Sequence, residues 1–180
     1  AVQGAQPFDC GLASTPSMFM SVVFPETRFD GSIMITASHL PYNRNGLKFF
    51  NADGGLEHAD ITDLLETAAV LSAGQADISK VSKVDLISLY AQSLCEKIRL
   101  GVKADDYDRP LAGLHIVVDA GNGAGGFFVR QVLEPLGADT AGSQFLEPDG
   151  MFPNHIPNPE NKQAMDSVRA ATVEHHADMG

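Results

Sequence analysis

A serine and a histidine stand side by side just after a short apolar segment, SIMIT, and basic side chains follow them. The pair is Ser38-His39, and within residues 1–79 the only basic side chains are Arg28, Arg44 and Lys48. An acidic chain that places cations close to one hydroxyl is suited to handling an anion there. The carboxyl ends of strands in α/β sheets are also where ligand sites form, so this pair is a candidate reactive centre.

Two reactions could use this serine, acyl hydrolysis and phosphoryl transfer. In an extended chain adjacent side chains point to opposite sides, so we expect that His39 cannot easily take the proton of Ser38. No G-x-S-x-G nucleophile elbow occurs either, which disfavours acyl hydrolysis. Phosphoryl transfer fits better, because it depends mainly on positioning and on stabilisation of charge. Pro41 restricts its own φ and the conformation of the preceding residue, and so stiffens the loop.

The composition of the chain argues against two classes of partner, nucleic acid and membranes. The 180 residues are 44% hydrophobic and 19% charged, with a formal net charge of −11, which indicates a globular chain that repels nucleic acid and anionic membranes. The two cysteines form no C-x-x-C motif, and no apolar run reaches the roughly 18 residues of a membrane span. We therefore expect a soluble, cytoplasmic protein, with an organellar lumen such as the plastid left open, and neither nucleic acid nor membrane as partner.

The order of the elements predicts an α/β fold. Residues 1–84 read as strand and loop followed by helix, and form one predicted domain. Residues 85–180 begin with an amphipathic helix, followed by the strands LHIVVDA and ADTAGSQFL, each leading into a helix. This order favours mixed or parallel sheets flanked by helices. The last helix is followed by no further strand, so we expect both domains to be incomplete.

A glycine-rich loop offers a second functional hypothesis. GNGAGG, residues 121–126, satisfies G-x-G-x-x-G between a strand and a helix, and Glu147 follows where a ribose-binding acid would lie. This pattern keeps an NAD-binding, Rossmann-like domain as an alternative, although Asp119 would put negative charge beside the pyrophosphate. His155 lies on a proline-rich loop, where we expect packing or turn formation.

Four segments resemble the α-D-phosphohexomutases, the phosphoglucomutase and phosphomannomutase family. TASHLPYNRNGLKFF resembles the family's active-site loop, Thr/Ser-Ala-Ser-His-Asn-Pro followed by Asn-Gly-x-Lys. DCGLASTP resembles an upstream Gly-x-x-x-Thr-Pro segment, while VVDAGNGAGG and PDGMFPNHIPNPEN resemble the opening strand and a later loop of the second domain. The resemblance covers nearly the whole chain, in the family's order.

The resemblance implies an isomerase of the intramolecular phosphotransferase type, acting in carbohydrate metabolism. Ser38 would carry a phosphoryl group between C1 and C6 of a hexose phosphate, through a hexose bisphosphate intermediate. His39 would line the site, and Lys48 would act as acid, base or electrostatic partner; Arg44 ranks lower. Mg²⁺ would bind at Ser38 through its phosphate, and a hexose 1,6-bisphosphate would serve as activator.

Two departures from the family pattern stand out. Leu40 replaces the usual asparagine, which keeps a non-catalytic paralogue as a further alternative. The family's metal-binding Asp-Gly-Asp-x-Asp-Arg loop has no counterpart, since the chain stops at Gly180. The resemblance therefore implies a fragment with part of domain 1 and most of domain 2. The remaining domains would be its partners, and we expect it to be inactive alone.

Overall fold

The computed structural model describes residues 4–72 and 74–180. The chain divides into two compact units: residues up to Thr36 with residues 46–86, and residues 37–45 with residues 87–180. The loop that carries Ser38 thus belongs to the second unit, although it leaves and rejoins the first. The boundary after residue 84 stays a sequence-based prediction.

The first unit combines two small sheets with short helices. The elements of this unit are β1 (Phe8–Asp9), α1 (Thr15–Met20), β2 (Ser32–Ile35), β3 (Leu47–Asn51), β4 (Gly54–Gly55), α2 (His58–Val70), a 3₁₀ turn (Ile78–Lys80) and β5 (Ser82–Lys83). The three-stranded antiparallel sheet has the order β2-β3-β4, and a parallel pair joins β1 to β5.

Helix α1 is fixed at its start and against the sheet. Ser14 and Ser17 form a capping box, each side chain accepting a hydrogen bond from the other's backbone N–H, which satisfies donors that the first helical turn leaves unpaired. The buried hydroxyl of Ser32 on β2 donates to the carbonyl of Met18 at 2.7 Å. The sheet that leads into the serine loop therefore rests on a capped helix.

The second unit contains α3 (Leu86–Val102, whose first residue belongs to the first unit), a 3₁₀ turn (Ala124–Gly126), a π-helical segment (Phe128–Leu133) and α4 (Lys162–Glu174). The expected strands meet as parallel bridges, His115 with Asp139 and Asp119 with Gln144. Apolar side chains of α3, of the π-helical segment and of the irregular segments beside them form the core: Ala91, Cys95, Leu111, Val132, Leu136 and Ala138.

The predicted α/β class is confirmed, with parallel and antiparallel pairing and flanking helices. The helix expected over FFVRQVLEPLG forms a π-helical segment, preceded by the 3₁₀ turn. Among the residues described, no helix has the length and apolar character needed to cross a membrane.

The glycine-rich loop supplies a test of this packing. A Cβ at Gly126 would lie 2.0 Å from the carbonyl oxygen of Leu146, whereas one at Gly125 would meet only the Cβ of Ala120 at 3.8 Å. Because backbone cannot yield cheaply, Gly126→Ala is expected to lower the free energy of unfolding by about 2 kcal/mol or more. Gly125→Ala is the matched control and should change it by less than about 0.5 kcal/mol. Urea denaturation of both variants measures the difference, and equal losses would contradict this packing.

Candidate active site

The serine loop, residues 37–45, is closed at its base by the end of the β2–β3 ladder. Ile35 pairs with Leu47 in register, and beyond them the N–H of Thr36 donates to the carbonyl of Gly46 at 2.9 Å. A Cβ at Gly46 would lie 2.9 Å from the carbonyl oxygen of Thr36. Glycine at position 46 thus allows the two chain segments to approach closely at this neck.

Ser38 lies exposed on this loop in a left-handed conformation, with φ of +59°. A non-glycine residue in this region costs about 1 kcal/mol or more, and such residues concentrate at functional sites. The turn brings the Oγ of Ser38 to 3.2 Å from Nδ1 of His39. The expectation that these side chains point apart was wrong, because the backbone at Ser38 is not extended.

Two consecutive turns shape the rest of the loop. The N–H of Leu40 donates to the carbonyl of Ala37 at 3.0 Å, and the N–H of Arg44 donates to that of Pro41 at 2.9 Å. The side chain of Leu40 is 52% exposed. At the position where the family pattern has asparagine, the chain thus presents an apolar group to the surface.

The proposed cationic partner, Lys48, lies on β3. It pairs across the ladder with Met34 on β2 and is exposed. Arg44, ranked below it, is exposed at the end of the second turn of the serine loop. The roles assigned to both residues remain predictions.

The tip of the serine loop borders an open cavity of about 290 Å³ within the second unit. Its walls come from two segments: His39, Leu40, Pro41 and Tyr42 on one side, and Met151, Phe152, Ile156 and Pro157 on the other. These side chains are mostly apolar, apart from His39 and the hydroxyl of Tyr42. The segment from 149 to 158, named here the facing loop, is therefore the neighbour of the serine loop in this unit.

One side chain of the facing loop, His155, forms a buried ion pair with Asp119. Nε2 of His155 is 3.0 Å from Oδ1 of Asp119, and the two side chains are only 6% and 5% exposed. The same carboxylate accepts hydrogen bonds from the N–H of Gly121, from Nε2 of Gln144 and from the hydroxyl of Ser167, all at 2.9 Å. A buried charge needs such partners, so Asp119 joins a strand end to the glycine loop, the facing loop and α4.

The ring of His155 is held at both nitrogens and by one aromatic neighbour. Nδ1 lies 3.0 Å from the carbonyl oxygen of Ile156, and the ring of Phe145 meets it edge-on at 5.6 Å. Burial alone lowers the pKa of His155, but the hydrogen bonds to Ile156 and Asp119 and the charge of Asp119 together raise the pKa above its usual value. The sequence suggested turn formation or packing here, not an ion pair.

Two family profiles match, "Phosphoglucomutase/phosphomannomutase, alpha/beta/alpha domain I" over residues 1–72 and "alpha/beta/alpha domain II" of the same family over residues 89–180. The chain belongs to the phosphoglucomutase/phosphomannomutase family. The resemblance drawn from the serine loop is thereby confirmed at the level of the family.

Curated relatives agree with this assignment. A phosphomannomutase/phosphoglucomutase of Pseudomonas putida is 30% identical over 98% of the chain and 35% of its own length. A phosphomannomutase of Salmonella montevideo is 31% identical over 98% of the chain and 39% of its own length. The chain thus spans little more than a third of the relatives it matches.

A solved structure from the same family also matches. It comes from a phosphoglucomutase/phosphomannomutase family protein of Burkholderia thailandensis, with a TM-score of 0.67 and 26% identity. The match covers 93% of this chain and 36% of that protein.

Membership of the mutase family does not favour the NAD-binding alternative, and the geometry gives a reason. The N–H of Gly121 is already bonded to Asp119, and His155 packs so closely that a Cβ at Gly121 would lie 3.1 Å from its Cε1. The carboxylate and the imidazole thus occupy the face of the glycine loop that a pyrophosphate would need. Glu147, the candidate ribose ligand, instead forms an exposed salt bridge with Arg130 at 3.1 Å.

The imidazole of His155 predicts how stability depends on pH. Because its pKa is raised on folding, the pair stabilises the fold fully below the unfolded pKa of about 6.5, and this contribution is lost as pH rises through the folded pKa. The free energy of unfolding should therefore fall as the pH rises above about 6.5 and through the raised pKa of His155. His155→Gln, which keeps a hydrogen-bond donor but does not titrate, should flatten that slope in urea titrations at matched pH. An unchanged slope in the variant would contradict the assignment.

Proposed function

We propose that the protein containing this chain is a phosphohexomutase in which Ser38 carries the transferred phosphoryl group. Family membership supports the reaction class, an intramolecular phosphotransfer on a hexose phosphate. The observation that carries the choice of residue is the exposed, left-handed Ser38, whose hydroxyl stands beside His39 on a loop with a fixed neck. A carrier group must reach substrate while keeping a defined direction, and this geometry meets both needs.

The proposed reaction is balanced within the enzyme and its substrate. The bond between phosphorus and Oγ of phospho-Ser38 breaks as a bond forms to the free hydroxyl of the hexose phosphate. The substrate hydroxyl gives up a proton, and Oγ of Ser38 takes one. After the resulting hexose bisphosphate has reoriented, the reverse step returns its other phosphoryl group to Ser38, so that phosphate moves between C1 and C6.

His39, Lys48 and Arg44 have separable proposed roles. His39 is close enough to exchange a proton with Oγ, since their atoms lie 3.2 Å apart. Lys48 is proposed as acid, base or electrostatic partner, and Arg44 as an accessory cation. A phosphoserine carries about −1.5 to −2 charges, so cationic groups are needed in a chain whose net charge is −11.

Mg²⁺ and a hexose 1,6-bisphosphate activator are proposed for the whole protein only. Within residues 4–72 and 74–180, no group of three or more histidine, cysteine, aspartate or glutamate side chains is arranged to hold a metal ion. Phosphate oxygens on Ser38 would supply one side of a metal site, which is not a complete set of ligands. The described residues alone thus do not fit the ion, and no step above depends on it.

Removing the hydroxyl of Ser38 tests the proposal. In the whole protein, Ser38→Ala should lower kcat for interconversion of hexose 1- and 6-phosphates by roughly a thousandfold or more, as loss of a covalent nucleophile does. Ser72→Ala, at another exposed serine, is the matched control and should leave kcat unchanged. Native turnover by the Ser38→Ala protein, with fold verified by circular dichroism, would refute the assignment.

The chain by itself should not turn over substrate. Its residues supply the serine loop, but the residues described in the structure include no group of side chains arranged to hold the metal ion. A coupled assay with saturating hexose phosphate, Mg²⁺ and hexose 1,6-bisphosphate should therefore detect no activity from the 180 residues. Activity that disappears in the Ser38→Ala chain would show that this stretch already holds the full machinery.

A further inference from the structure

The facing loop is firmly attached to the glycine loop at its beginning. The N–H of Asp149 donates to the carbonyl of Asn122 at 2.9 Å, and Nδ2 of Asn154 lies 2.7 Å from Oδ1 of Asn122. Asn122 itself adopts a left-handed conformation, with φ of +57°. The facing loop is thus tied to the glycine loop by one backbone and one side-chain hydrogen bond.

The second half is anchored through His155. One ring nitrogen bonds to the buried Asp119 and the other to the carbonyl of Ile156, which also accepts the N–H of Asn158 at 2.8 Å. The ring therefore fixes the segment of Ile156 and Pro157 relative to the strand end. Removing the ring would leave the buried carboxylate without its charged partner, and this segment without its anchor.

Ile156 and Pro157 also form the cavity wall that faces the serine loop. On the other side of the cavity lie His39, Leu40, Pro41 and Tyr42, which directly follow Ser38. A continuous set of contacts therefore runs from Asp119 through His155 to the cavity wall. Leu40, the departure from the family pattern, is half-exposed and lines the opposite side of the same open cavity.

We propose that His155 is a positioning residue for the serine loop: paired with Asp119, it holds the apolar wall against which Leu40, Pro41 and Tyr42 set the direction of Ser38. The role rests on the proposed function of Ser38, but its structural consequence does not depend on turnover. It also assigns a purpose to Leu40, as the apolar counterpart of Ile156 and Pro157.

A purely structural role for His155 must be separated from this one. Val132, 1% exposed in the core between α3 and the π-helical segment, provides the comparison. Val132→Ala should lower the stability of the same unit without touching the facing loop or the serine loop. His155→Gln provides the conservative rescue, because its amide can still donate to Asp119.

The test measures amide hydrogen exchange by NMR in the 180-residue chain, at the N–H groups of Leu40 and Arg44, which close the two turns of the serine loop. His155→Ala should speed exchange at both by about tenfold, the factor that corresponds to loss of one hydrogen bond to a charged group. His155→Gln should recover part of the protection. Val132→Ala should leave the exchange rates of Leu40 and Arg44 as in the parent chain, when the two proteins are compared under conditions that give them the same unfolded fraction.

Unchanged exchange in His155→Ala, or equal acceleration in Val132→Ala, would overturn the proposal. If His155→Ala fails to fold, His155→Gln alone decides it: acceleration at Leu40 and Arg44 beyond that in Val132→Ala supports the role, and none refutes it. In the whole protein, His155→Ala should lower kcat with little change in KM. Failure of the proposed function would appear instead as full activity in Ser38→Ala, with the exchange result unaffected.

Discussion

The arrangement of loops in the second unit depends on one buried carboxylate, that of Asp119, which must be hydrogen-bonded or ion-paired. Asp119 is nearly sealed from solvent at the end of a strand, and its oxygens are bonded by Gly121, Gln144, His155 and Ser167. Leaving such a charge unpaired inside a protein is strongly destabilising. Satisfying it draws together the glycine loop, the facing loop and α4, so a single electrostatic requirement sets the geometry of several segments. The serine loop then borders a wall whose position this network determines.

The reactive serine is subject to a different constraint. The pairing of Thr36 with Gly46 closes the neck of its loop, and the left-handed backbone at Ser38 turns the hydroxyl toward His39. A flexible loop would lose conformational entropy at each turnover. In a loop whose neck is closed by hydrogen bonds, much of that entropy has already been lost on folding. The two parts of the site thus differ in character. Asp119 is a buried charge with all its partners in place, whereas Ser38 is an exposed residue with a left-handed backbone.

The sequence predicted much of the fold and the position of the reactive loop. It did not predict the conformation of Ser38 or the contacts between distant residues. The order of residues from Thr36 to Phe50 indicated the loop and its family, because motif residues and their spacing are local properties. The conformation of Ser38 was not accessible, since alternation of side chains was assumed where a left-handed residue breaks it. The pair of Asp119 and His155 joins positions 36 residues apart, and no periodicity encodes such a contact. The helix expected after GNGAGG was placed correctly, but its π-helical hydrogen bonding depends on packing.

Ser38 is proposed to become phosphorylated during the transfer. Mapping the phosphorylated residue tests this role most directly. The whole protein would be exposed to hexose 1,6-bisphosphate, digested with trypsin, and its peptides sequenced by mass spectrometry. The peptide between Arg28 and Arg44 contains other hydroxyls, on Ser32, Thr36 and Tyr42, so fragmentation must assign the site. The account predicts a single phosphate on Ser38, removed again by excess hexose monophosphate. Phosphate on another residue, or none under conditions where the enzyme is active, would contradict it.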